Sequence, residues 1–71
     1  MADKYSPGIM WAKDAATRFN KDEVVVLLID DLTGLIDVYS YGKTGKKCKH
    51  ADKVGNVVYE AVVKAYREGS L

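Results

Sequence analysis

Five of the nine lysines, Lys43, Lys46, Lys47, Lys49 and Lys53, fall within eleven residues, with His50 among them. Ammonium groups at that density suit phosphate or carboxylate oxygens. What they can do depends on where the next helix begins. If it begins at Thr44, the lysines crowd its first turns, where the helix dipole already makes cations unfavourable by a few tenths of a kcal/mol each. Free N–H groups, dipole and lysines would then converge on an anion, a nucleic acid or a nucleotide. If it begins near Asp52, the segment is a solvated loop and an acid sits favourably in the first turn.

Other chemistry along the chain is weaker. Gly42-Lys43-Thr44 has the ending of a phosphate-binding loop, but the glycine required five residues earlier is Asp37. Cys48 and His50 stand two apart, about 200° around a helix, and no third group orients a base. One cysteine and one histidine cannot complete a four-ligand zinc site. Asp30, Asp31 and Asp37 offer too few oxygens for a hard cation, with Leu32 interrupting them. No catalytic set, metal or cofactor is expected, and the class indicated is a non-enzymatic binding protein.

The elements that must position these residues read in the order α-β-β-α, an α+β class. Ser6-Pro7 reads as a helix start, with Ser6 as N-cap. Ile9, Ala12, Ala16 and Phe19 follow at helical spacing, with Trp11 and Ala15 beside them, and Asn20-Lys21-Asp22 closes the helix. Val24 to Ile29 is an unbroken apolar run, mostly β-branched, which predicts a strand covered on both faces. Asp30 to Gly34 is a turn with Gly34 free to take a positive φ. Leu35 to Tyr41 completes an antiparallel hairpin, with Leu35, Asp37, Tyr39 and Tyr41 on one face. Cys48, Ala51, Gly55, Val58, Val62 and Ala65 form a stripe on a last helix ended by Gly69.

Two helices packed on one face of a hairpin leave the other face bare, and two strands alone are marginal. A chain of 71 residues is a single domain, 1–71, that buries only about 60% of its unfolded surface. No internal disulfide can help, because Cys48 is the only cysteine. A homodimer or higher homo-oligomer is therefore expected, with Leu35, Tyr39 and Tyr41 meeting the second copy. Trp11 and Phe19 are expected in the helix–sheet core. Asp37 is expected to face solvent or to pair with a lysine across the dimer edge.

Gly42 to Ala51 resembles the start of the last helix in double-stranded RNA-binding domains, where a glycine turn leads into lysines that touch phosphates. That likeness implies phosphate contacts by Lys46, Lys47 and Lys49 or Lys53. It departs from the family in having two strands instead of three, and in lacking the family's loop histidine motif. Val24–Ile29, Ser40–Thr44, Cys48 and Ala51 together resemble small proteins encoded by bacteriophages and prophages. This second likeness implies an accessory protein that inhibits or sequesters a host factor.

The formal net charge of +1 gives no global pull towards nucleic acid or membrane. No stretch has the length of a membrane helix. The opening Met-Ala-Asp-Lys-Tyr lacks the apolar core of a signal peptide, so a cytoplasmic setting is expected. Two partner classes remain. One is an anionic ligand held by Lys43, Lys46, Lys47, Lys49, His50 and Lys53; the other is a host protein docked on the tyrosine face or a strand edge.

Overall fold

The computed structural model describes residues 7–71 as a helix, two antiparallel strands and a second helix: α1 (Pro7–Arg18), β1 (Glu23–Asp30), β2 (Leu35–Gly42) and α2 (Gly45–Arg67). Pro7 holds the first helical position, while the expected N-cap, Ser6, lies outside the described residues. Asn20 ends α1 in a left-handed conformation (φ 52°). The Lys21 N–H reaches back to the Ala16 carbonyl and the Asn20 N–H to that of Thr17, the double closure of a Schellman end. Asparagine tolerates that φ better than most residues, which explains why the helix stops there.

Asp30 organises the hairpin turn. Its carboxylate accepts the N–H groups of Leu32 (3.0 Å) and Thr33 (3.4 Å). Its carbonyl accepts that of Gly34, which takes φ 75°. The register then runs without a bulge from Asp30 opposite Leu35 to Glu23 opposite Gly42. Thr44 caps α2: its hydroxyl accepts the Lys47 N–H at 3.1 Å. The helix thus begins at the earlier of the two expected points. At the other end Gly69 (φ 74°) donates to Tyr66 and Ser70 to Ala65, a second Schellman closure.

Directly opposed residues share a sheet face. One face therefore carries Val25, Leu27, Ile29, Ile36, Val38 and Ser40; the other carries Val24, Val26, Leu28, Asp37, Tyr39 and Tyr41. Helix α2 lies on the first. Gly55 sits against Val38, Ser40 and Val25, and Ala51 beside it is buried. Helix α1 lies on the second, with Gly8 against the Tyr39 ring and Trp11 edge-on to it (centroids 6.5 Å, 87°). The helices do not touch each other.

This corrects the expectation that both helices share one face. The hairpin is the middle layer of three. The correction has a physical cause: α1 approaches through Gly8, Ala12 and Ala16, which are small enough to bring the helix axis close to the sheet. Trp11 and Phe19, expected in the core, lie outside it, 56% and 70% exposed. Buried apolar positions are Ala12, Ala16 and Ala51, and no large side chain among the described residues is fully buried. The radius of gyration is 13.3 Å, against about 11 Å for a compact globule of this length.

Candidate functional site

The lysine cluster is split by the fold. Lys47 and Lys43 turn towards Asp22 at the α1–β1 junction, at 3.1 and 3.8 Å. The Nδ1 of His50 meets the Glu23 carboxylate at 2.5 Å. Lys46, Lys49 and Lys53 recur at three- and four-residue spacing on the opposite side of α2, exposed, and no ion pair reaches them among the described residues. The six residues thus divide into a group neutralised by two acids and a solvated ridge. The groove beside the α2 N-terminus, about 520 Å³, is bordered by Tyr39, Tyr41, Thr44, Gly45 and Cys48, and by only one lysine, Lys43.

Asp22 is expected from the sequence only to help close α1, and Glu23 has no expected role. Their partners lie more than twenty positions away, and no periodic signal links them. The Lys47 ammonium, which donates to the Asp22 carboxylate, holds Asp22 below the ordinary aspartate value of 3.8, and Lys43 pulls more weakly the same way. A lowered folded-state pKa contributes stability that is present above the unfolded value and lost as pH falls through the folded one. Acid unfolding should therefore gain a step below about pH 4 that Asp22→Asn abolishes, the variant melting slightly below the parent between pH 5 and 8 and level with it at the acid end. The pair is solvent-exposed, so the step is small. Thermal melts of both chains across pH 2–8 check this.

Of the residues assigned to an interface, Tyr39 is packed under α1 and half-buried. Tyr41 is half-buried and lines the groove just described. Leu35 stands apart at the hairpin tip, 64% exposed. Asp37 is exposed and has no ion pair among the described residues. Across β2 and α2, the Ser40 hydroxyl donates to the Asp52 carboxylate and ties strand to helix.

A second groove, about 500 Å³, opens between the hairpin tip and the end of α2. Ile29, Leu35, Ile36, Tyr59, Val63 and Tyr66 wall it, and Asp30, Asp31 and Arg67 supply charges to its lining. Tyr59, Val63 and Tyr66 recur at four- and three-residue spacing, so one flank of α2 builds one wall. Leu35, opposite Asp30 in the register, borders the groove at the hairpin tip. This arrangement was legible only in part: Tyr59 and Tyr66 lie beside the apolar stripe, but only the fold brings them to the hairpin tip.

Among the described residues, no cluster of histidine, cysteine and carboxylates could hold a metal ion, and no helix is long and apolar enough to cross a membrane. No protein family, curated protein or solved structure was found to match the chain.

Proposed function

We propose that the chain is a non-enzymatic interaction protein that docks an apolar segment of another protein in the groove between the hairpin tip and α2. The observation that carries this reading is the groove's apolar wall, with Leu35 64% exposed in a chain whose described residues bury no large side chain fully. Contiguous apolar surface rimmed by charge is the anatomy of a protein-binding site. Tyrosine and arginine, here Tyr59, Tyr66 and Arg67, are the residue types that dominate binding energy in such sites. An accessory protein acting on a host protein, as the phage-type likeness implies, fits this reading.

An anionic ligand is less well supported. Lys43, Lys47 and His50 already face carboxylates, and Lys46, Lys49 and Lys53 lie exposed along one side of a single helix. The test is capture from a cell lysate by the immobilised full chain and by a Tyr66→Glu variant. Tyr66 is partly exposed, so circular dichroism should show an unchanged fold. A protein retained by the first chain and reduced at least about 30-fold on the second is the expected result, as for loss of an interface anchor. Equal retention on both chains, or retention of nucleic acid alone, contradicts the proposal.

A further inference from the structure

The two edges of the hairpin differ, and the difference points to a second copy of the chain. The β2 edge carries Asp37 and is tied to α2 through Ser40 and Asp52. The β1 edge has neither protection. Val24 to Ile29 is six apolar residues without charge, proline or bulge. Exposed edges of that kind are normally blunted or paired, because they template strand addition.

The direction of its free groups follows from one hydrogen bond. The Lys43 N–H donates to the Asp22 carbonyl at 3.1 Å, making Asp22 and Lys43 a hydrogen-bonded pair in line with the ladder. Antiparallel pairs alternate, so Val24, Val26 and Leu28 bond to β2, while Val25, Leu27 and Ile29 turn their main-chain groups outward. Among the described residues, no main-chain bond from a loop or helix meets these three.

A helical flank runs along the same side. Lys47 and His50 reach Asp22 and Glu23 at the start of β1. Continuing from them at four- and three-residue spacing, Val54, Val57 and Ala61 follow along that flank, and Val57 is 68% exposed. Lys53 and Glu60 lie on its solvent side, on either side of Val57.

We infer that β1 pairs antiparallel with β1 of a second copy about a two-fold axis. The product is a four-stranded sheet, β2-β1-β1-β2, with both α2 helices on one face and both α1 helices on the other. Val54, Val57 and Ala61 of the two copies meet above the new seam. An axis near Val57 sets Lys53 of one copy against Glu60 of the other. The size is adequate. The eight residues of β1 span about 27 Å. A strip of that length and about 20 Å deep, two layer spacings, covers about 500 Å² on each copy. The total of about 1,000 Å² reaches the lower bound of specific interfaces. Ile29 borders both this surface and the tyrosine-walled groove, but the α2 flank of the seam, Val54, Val57 and Ala61, lines neither groove, so the inference stands independently of the proposed docking.

Light scattering on the full chain tests the inference, with amide exchange by NMR. The expected mass is twice 7.9 kDa. Val57→Glu, at an exposed position, should leave the far-ultraviolet spectrum intact and raise the dimer Kd by about 100-fold or more, since the axis sets the two carboxylates together. Ile29→Pro removes an outward N–H without touching the ladder to β2 and should also give a folded monomer. In the wild-type dimer the amides of Val25, Leu27 and Ile29 should exchange as slowly as those of Val24, Val26 and Leu28; in Val57→Glu only the second set stays protected. A monomer at millimolar concentration, or a dimer whose Val25, Leu27 and Ile29 amides exchange freely, overturns the inference.

Discussion

Gly42→Ala should lower the melting temperature by about 15 °C or more, whereas Gly45→Ala three residues later should leave it unchanged or raise it slightly. Gly42 is buried where β2 hands over to α2, and a methyl group there would land on the main chain of Lys47 and Cys48. Main-chain atoms in the first turn of a helix cannot rotate aside as a side chain does. The strand end and the helix start must separate, and with them the Thr44 cap. Overpacking of this kind costs about 3 kcal/mol or more when nothing flexible can yield. In a domain of this size each kcal/mol is worth about 4–8 °C, and total stability is about 4–10 kcal/mol. Gly45 differs because nothing lies within 4 Å of its added methyl, and alanine is the better helix former by up to about 1 kcal/mol. Thermal melts of the two variants side by side separate the steric effect from the loss of glycine as such.

Gly8→Val should detach α1. A side chain at Gly8 would occupy the Tyr39 ring, so either the ring leaves its site or the helix lifts from the sheet. The ring cannot leave freely, because Trp11 abuts it edge-on. The expected loss is about 2–3 kcal/mol, with collapse of the near-ultraviolet signal that the Trp11–Tyr39 pair generates. Far-ultraviolet intensity should fall less, since β1, β2 and α2 keep their own contacts. A variant with unchanged near-ultraviolet dichroism and unchanged melting would contradict the placement of α1 on the tyrosine face.

These two glycines also mark the boundary of what the residues made legible in advance. Element order and ends were readable because each rests on local chemistry. Thr44 can cap, Gly34 and Gly69 accept positive φ, and the Cys48–Ala65 stripe keeps one face for about 26 Å of helix. The side of the sheet that each helix takes was not readable. Large apolar residues attract attention as core, yet Trp11 and Phe19 lie at the margin and the contact runs through Gly8, Ala12 and Ala16. Small residues give little periodic signal, although they decide how closely a helix approaches. The lysine segment shows the same limit for the site. Its density was plain, but its neutralisation by Asp22 and Glu23 is a tertiary fact, made when the chain returns on itself at the α1–β1 junction. The tyrosine face shows the same limit: Tyr39 is as suited to covering by a helix as by a second copy, and α1 packs on it.

Ionic strength separates docking through apolar surface from docking through charge. The decisive measurement is what stays bound to the immobilised full chain when a lysate capture is washed first at about 50 mM and then at about 500 mM salt. Phosphate contacts release counterions, so binding through several lysines weakens by orders of magnitude over such a range, while apolar docking does not. The expected result is a protein that survives the high-salt wash on the wild-type chain and is missing from Tyr66→Glu. Complete elution by salt, with nucleic acid as the released material, would contradict the proposed groove and return the function to Lys46, Lys49 and Lys53.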